Sequence, residues 1–313
     1  MKKEQKKGFS KKNTMHFNQV VFCWAMLAIP ILSWILWWFC AKIGTIVQAF
    51  LDPITNNFSF VNFRDFWNSL TGVDTSLGSL KVSMGNTLKY FCLHMFIEFP
   101  IDICITYFIY KKIKGYQFFR IVFYFPALIS GVIMTGVFKE LISANGILGE
   151  LCSRYGWSII PEGGLLGNVA TATNTILVYD FWTGICASML IIGGAMGRIP
   201  LEVLESARLD GVNTWKELTN IVVPLIWPTL STLIILALTG FIGASGPILL
   251  LAPSMRLGTS TLSYWMFEKV YAGGVYMGGK YNLVSATGLC FSFVVVPFTL
   301  FMRKLLERST SEY

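Results

Sequence analysis

Long apolar runs alternate with short polar segments along this chain, and the alternation divides it into six candidate spans. The runs cover about Gln19 to Cys40 (with helix continuing as far as Phe50), Thr87 to Tyr110, Phe118 to Ile142, Val169 to Met196, Ile221 to Leu251 and Leu283 to Leu305. Each is long enough to cross a bilayer, which takes about 20 mostly apolar residues. Backbone groups in lipid must pair within their own segment, so the runs are predicted to be helices. Between them, Leu51 to Gly85, Asn145 to Gly167 and Pro253 to Tyr281 read as polar loops on one side of the membrane. The pattern predicts an all-α integral membrane protein with six transmembrane helices.

A further polar island lies between two runs at Ile199 to Pro224. It reads as two short helices with a sharp corner. Pro200 suits a first helical turn, where its missing N–H costs nothing. Glu202 and Glu205 lie near the positive end of that helix and Arg208 near its negative end. Val203, Leu204 and Ala207 share one face, with Glu202, Glu205 and Ser206 on another. Gly211 is placed to stop the helix in a left-handed conformation. Thr214 and Glu217 then have capping-box spacing and open the next helix, with Pro224 as the hinge from loop to membrane helix.

Composition supports the membrane assignment. Charged residues make up 13% of the 313 residues and hydrophobic ones 54%, against about 25% charged in soluble domains. The net charge of +8 does not point to nucleic acid, because of where it sits. Sixteen of the 25 Lys and Arg residues fall on the side of the amino-terminal tail and the island, six of them in Met1 to His16. The positive-inside rule therefore puts both termini and the island in the cytoplasm. The seven cysteines have no C-x-x-C spacing and fall mostly inside apolar runs, which predicts neither a disulfide framework nor a zinc site.

Glu205-Ser206-Ala207, then Gly211, then Ile221-x-Val223-Pro224 resembles the EAA loop of binding-protein-dependent ABC importer permeases, E-A-A-x3-G-x9-I-x-L-P. Ser206 and Val223 depart from that pattern while keeping size and character. Weaker likenesses lie at Phe60 to Phe66, Tyr124-Phe125-Pro126, Asp180-Phe181-Trp182 and Leu257 to Leu262. The chain is similar to the carbohydrate type, which includes the maltose and glycerol-phosphate transporters, and to the first of their two paired permeases. The resemblance implies a type I ABC importer permease fold. Its parts would be a basic tail (1–16), a first helix and external loop (17–85), a core permease domain (86–306) carrying the coupling loop 199–224, and a short tail (307–313). It further implies a second homologous permease, two ATP-binding subunits that hold ATP and magnesium, and an extracellular solute-binding protein. Glu205, Ser206, Ala207, Asp210 and Gly211 would couple to the ATPase. This chain would bind no cofactor or metal itself and would catalyse no reaction. It would form half of a pathway for a sugar or oligosaccharide in a prokaryotic plasma membrane.

Four further features compete with that picture or add to it. His94, Glu98 and Asp102 lie four apart on the second span and would share a face. Ionisable groups at membrane depth are costly and default to functional candidates. As a proton relay they would make the chain an ion-coupled secondary transporter; as a polar stripe they would face the permease interior or the partner subunit, paired by hydrogen bonds; and Glu98, Asp102 and Asp180 are also candidates to line the pathway. Gly274 to Lys280 satisfies G-x4-G-K, but Tyr281 stands where a P-loop needs Ser or Thr. Tyr264 and Trp265 are candidate pathway aromatics near the outer end. Only two histidines occur, His16 and His94, which argues against histidine-metal chemistry.

Overall fold

The computed structural model describes residues 19–72, 78–157, 160–161, 164–185, 187–243, 246–252, 257–271 and 280–310. The basic tail at 1–16 and the glycines of the G-x4-G-K segment lie outside the described residues. Among the described residues the secondary structure is helical apart from one isolated bridge, Leu51 to Phe58. Five helices are long and apolar enough to cross a membrane, and a bent pair makes a sixth. That matches the six spans read from the sequence.

The chain divides into two compact units. The first holds residues up to Arg64 together with Tyr281–Leu289. Its long helix α1 (Gln19–Ala49) is exposed along nearly its whole length and apolar all round, as a helix solvated by lipid should be. A π-helical stretch, Trp34–Phe39, brings Trp34 and Trp38 into a stack 5.2 Å apart. After α1 the chain turns at Asp52, whose Oδ1 accepts the backbone N–H groups of Ile54 at 2.8 Å and Thr55 at 3.0 Å. Those bonds hold the Asp52 carboxyl below its usual pKa. Asn62 then ties the turn down by donating to the carbonyls of Ala49 (3.0 Å) and Leu51 (2.7 Å). Asn282 donates to the same Leu51 carbonyl at 2.6 Å. The Phe60 to Phe66 segment noted in the sequence thus supplies both the amide clamp and, with Phe50 and Phe58, a cluster of packed rings. Arg64 ends this unit inside helix α2 (Val61–Thr71).

The second unit holds Asp65–Lys280 and Cys290–Tyr313. Its helix α3 (Leu80–Tyr110) begins earlier than hydropathy alone placed it. Ser79 caps it by accepting from Val82 N–H, so the loop called at Leu51 to Gly85 ends sooner. The third span is interrupted. The chain runs through α4 (Tyr116–Leu128), an extended Ile129, and α5 (Gly131–Ile142), followed by α6 (Ile147–Arg154). The run that is long and apolar enough to span is Gly131–Arg154, so the loop assigned from Asn145 begins with helix. Span four is two helices, α7 (Val169–Gly184) and α8 (Met189–Met196).

Next come α9 (Leu201–Leu209), α10 (Thr214–Leu225) and α11 (Trp227–Gly240). Span five is therefore not one helix from Ile221 to Leu251. It bends by 75° at Ile226, between Pro224 and Pro228, where each proline removes a backbone donor from the helical ladder. A short α12 (Ile248–Leu251) follows Pro247. The unit continues with α13 (Leu262–Tyr271), and most of the long α14 (Tyr281–Thr310) belongs to it.

Two buried clusters hold this unit together. One gathers Tyr90, Phe138, Ile176, Tyr179, Ile248 and Tyr264. The other gathers Tyr107, Ile192, Met196, Leu204, Leu218 and Val222. The second cluster seats the polar island, because Leu204 of α9 and Leu218 and Val222 of α10 all enter it.

Candidate functional site

The island folds as a helix, a corner and a second helix. Pro200 stands just before α9 with an extended ψ of 132°, one place earlier than the first helical turn. Glu202 occupies the first turn and Arg208 the last. Leu204 and Ala207 are buried, while Val203, Glu205, Ser206 and Asp210 are exposed. The buried face is narrower than periodicity placed it, since Val203 stays outside. Ser206 Oγ donates to the Val203 carbonyl within its own helix, and Glu202, Glu205, Arg208 and Asp210 are the exposed charges around it.

Gly211 closes the helix with φ +71°. The Gly211 N–H donates to the Arg208 carbonyl at 3.1 Å and the Val212 N–H to the Ala207 carbonyl at 3.1 Å. That pair of bonds is a Schellman motif, and it satisfies carbonyls the helix end would otherwise leave open. A Cβ at Gly211 would meet nothing within 4 Å, so the requirement for glycine comes from φ alone.

The capping box expected from Thr214 and Glu217 does not form. Asn213 is the N-cap of α10 and makes no side-chain cap bond. Glu217 is 1% exposed, and its Oε2 lies 2.8 Å from Lys111 Nζ just past the end of α3. A lysine within reach forms a stronger contact with a buried carboxylate than a backbone N–H at the same helix end. Tyr107 OH adds a bond to the Thr214 carbonyl at 3.3 Å, and the Lys111 ammonium lies 5.3 Å from the Tyr107 ring. Burial disfavours the Lys111 charge, but hydrogen bonding to Glu217 and Tyr107 outweighs it and raises its pKa. Sequence reading missed this brace. Nothing in the local spacing singles out Glu217 from the other acids of the island as the partner of Lys111.

Pro224 lies inside α10, after a π-helical stretch at Leu218–Val222. The bend itself falls at Ile226, two residues later.

The stripe on α3 is largely buried. Glu98 is 2% and Asp102 1% exposed. His94 Nδ1 lies 3.3 Å from Glu98 Oε2, and Asp180 on α7 is within electrostatic reach of both. Both carboxylates lie at the break in span four. A Cβ on Gly184, the last residue of α7, would come 2.5 Å from Glu98 Oε1, so a larger residue there requires the carboxylate to shift. Asp102 Oδ2 accepts the Ser188 N–H at 3.4 Å, at the positive end of α8.

Tyr264 and Trp265 are 4% and 2% exposed. Tyr264 belongs to the first cluster, and both rings pack inside the chain. The adjoining Leu257 to Leu262 segment is locked to α3. Asn86 Nδ2 donates to the carbonyls of Gly258 (2.6 Å) and Ser260 (3.0 Å), Ser83 and Ser260 share a 2.7 Å hydroxyl contact, and Leu262 N–H donates to Thr87 Oγ1 at 2.8 Å. Ser83, Asn86 and Thr87 have helical spacing and share a face. No group of three or more potential metal ligands occurs among the described residues.

Residues 109–311 match the family described as "Binding-protein-dependent transport system inner membrane component". The chain belongs to that family. The permease is similar to the multiple sugar-binding transport system permease protein MsmF of Streptococcus mutans, 23% identical over 91% of this chain and 95% of MsmF. It is also similar to the arabinooligosaccharides transport system permease protein AraP of Bacillus subtilis, 24% identical over 67% of this chain and 66% of AraP. Its fold matches a chain of a bacterial ABC transporter involved in the import of the acidic polysaccharide alginate, with a TM-score of 0.79 at 20% identity over 94% of this chain and 97% of that one. The chain is thus a multi-pass inner-membrane permease of a binding-protein-dependent ABC importer. The permease family carries no ATPase, and ATP is bound by partner subunits. The secondary-transporter alternative gives way to this assignment.

Proposed function

We propose that this permease carries a sugar or oligosaccharide, and that α9 is its contact with the ATPase. The saccharide follows from its relatives, which are named for multiple sugars, arabinooligosaccharides and starch degradation products. Charge asymmetry favours both termini and the α9 corner on the cytoplasmic side. There the permease pairs with a second homologous permease, two ATP-binding subunits dock inside, and the solute-binding protein docks outside.

The observation that carries the coupling role is the construction of α9. It is seated by Leu204 and Ala207, ended rigidly at Gly211, and backed by the Lys111–Glu217 brace. Outward it presents Glu205, with Leu209 89% exposed and Trp215 57% exposed. An exposed apolar patch rimmed by charge on a polar loop fits a protein partner. A helix seated this firmly moves as one body with α10, so a push on it passes through the 75° bend into α11. Glu98, Asp102 and Asp180 would shape the pathway by holding span four in its broken form.

Affinity purification of the tagged chain from its native membrane in mild detergent tests this assembly. A second six-span permease and an ATPase at twice the amount of this chain are expected. Recovery of the chain alone or as a homodimer, from membranes that still import the sugar, would overturn it.

A further inference from the structure

A cavity of about 360 Å³ opens between α3, α4 and α8, and its lining includes no residue of α9 or of the acidic stripe. Its volume falls in the range of small-molecule sites. Lys112 and Arg120 line it with three tyrosines, Tyr110, Tyr116 and Tyr124, and no acidic side chain does. Neither Lys112 nor Arg120 has a carboxylate partner among the described residues. The neighbouring Lys111 is committed to Glu217, so the two lysines at the end of α3 face different tasks. Arg120 is held over the Tyr124 ring at 5.9 Å, which fixes the guanidinium at the cavity wall. Lys112 has φ +52°, a conformation a lysine adopts at a cost. There it closes α3, its N–H donating to the Ile109 carbonyl at 3.0 Å.

The position of the cavity decides between ligands. Tyr110 ends a membrane helix and Tyr116 begins α4, so the opening lies at the level where tyrosine and basic residues meet headgroups. The next face of α4 carries Phe118, Ile121, Phe125 and Leu128, all more than half exposed, with Leu190 of α8 beside the opening. Two cations and phenolic hydroxyls at the rim, with an apolar stripe running away from them along the helix, match a phosphodiester with attached acyl chains.

We infer that this cavity binds the headgroup of an anionic phospholipid in the leaflet at the lysine-rich end of span two. Lys112 and Arg120 take the phosphate and headgroup charge, the tyrosine hydroxyls donate to its oxygens, and the acyl chains lie along the exposed face of α4. Basic pockets between membrane helices are a recognised form of lipid site. The site requires that the chain cross a bilayer and is independent of the sugar and of the coupling contact.

Native mass spectrometry of the purified importer complex tests it, with phosphatidylglycerol and phosphatidylcholine of the same acyl chains as probes. The wild-type complex should retain phosphatidylglycerol about tenfold better, as two basic contacts imply. Lys112→Asn with Arg120→Gln should remove that preference; asparagine is chosen because it tolerates the left-handed backbone. Gly194→Leu gives a second route. Gly194 lines the cavity and a Cβ there would meet nothing within 4 Å, so leucine should fill the space and expel the lipid with both charges in place. Equal retention of the two lipids by wild type, or unchanged retention in both variants, would overturn the site. Full displacement by excess inorganic phosphate would assign it to a free anion. A disulfide from Gly194→Cys to the second permease in the resting complex would assign it to a subunit contact. Either result contradicts a lipid.

Discussion

Lys111 Nζ sits 2.8 Å from Glu217 Oε2, joining the end of α3 to the first turn of α10. The two residues are 106 positions apart in the chain. The contact fixes the start of α10 against the end of span two. Lys111→Met would leave Glu217 buried without its counter-charge. Removing one partner of a buried pair costs about 3–5 kcal/mol, so the variant complex should melt well below wild type. The double variant Lys111→Met with Glu217→Leu should recover most of the loss. Additive losses in a thermal double-mutant cycle would mean that the pair is not coupled. Because the Lys111 pKa is raised, its share of the stability is complete below the ordinary value of 10.5 and is lost only as pH climbs past the raised one.

The corner at Gly211 makes a separable prediction. Asparagine tolerates the left-handed region, whereas proline is fixed near φ −65° and lacks the N–H that bonds Arg208. Gly211→Asn should keep most sugar uptake and cost about 1 kcal/mol or less. Gly211→Pro should abolish uptake while the protein still inserts. Equal uptake by the two variants, measured with labelled substrate in cells, would remove the corner from the coupling mechanism.

Much of this was legible in the chain, and the failures have a common cause. Six spans, the Gly211 stop and the Glu202 to Arg208 polarity of α9 follow from local rules, in which residues three or four apart decide the outcome. The motif from Glu205 to Pro224 is legible because it too is local. The same rules misled at Glu217, where a distant lysine took the side chain a capping box would have used. The breaks within spans three and four were invisible for a related reason. An apolar run stays apolar through an extended Ile129 or Ile185, and what sustains the break lies elsewhere in the chain.

The break in span four can be tested through its steric contact. Gly184→Ala places a methyl group 2.5 Å from the Glu98 carboxylate, and overpacking of this kind costs about 1–3 kcal/mol. Glu98→Ala in the same chain removes the clash and should restore the melting temperature of Gly184→Ala toward that of Glu98→Ala alone. A melting temperature for Gly184→Ala equal to wild type would show that span four does not depend on this contact.

Asn86 holds the Leu257 to Leu262 segment by two amide donations. Asn86→Ala strands both carbonyls, at about 1–3 kcal/mol each. Asn86→Asp should be worse, because a carboxylate offers only acceptors to two carbonyl oxygens. Limited proteolysis of the purified complex should cut near Gly258 faster in both variants. Unchanged cutting would mean the segment is held by other contacts.

The most direct test of the account is a photo-crosslinker at Leu209, the most exposed large apolar residue of α9. Placed there in the intact importer, it should capture the ATP-binding subunit in high yield, and Glu205→Lys in the same chain should lower that yield severalfold. Capture of lipid or of the second permease alone, in a complex that still imports its substrate, would contradict α9 as the coupling contact.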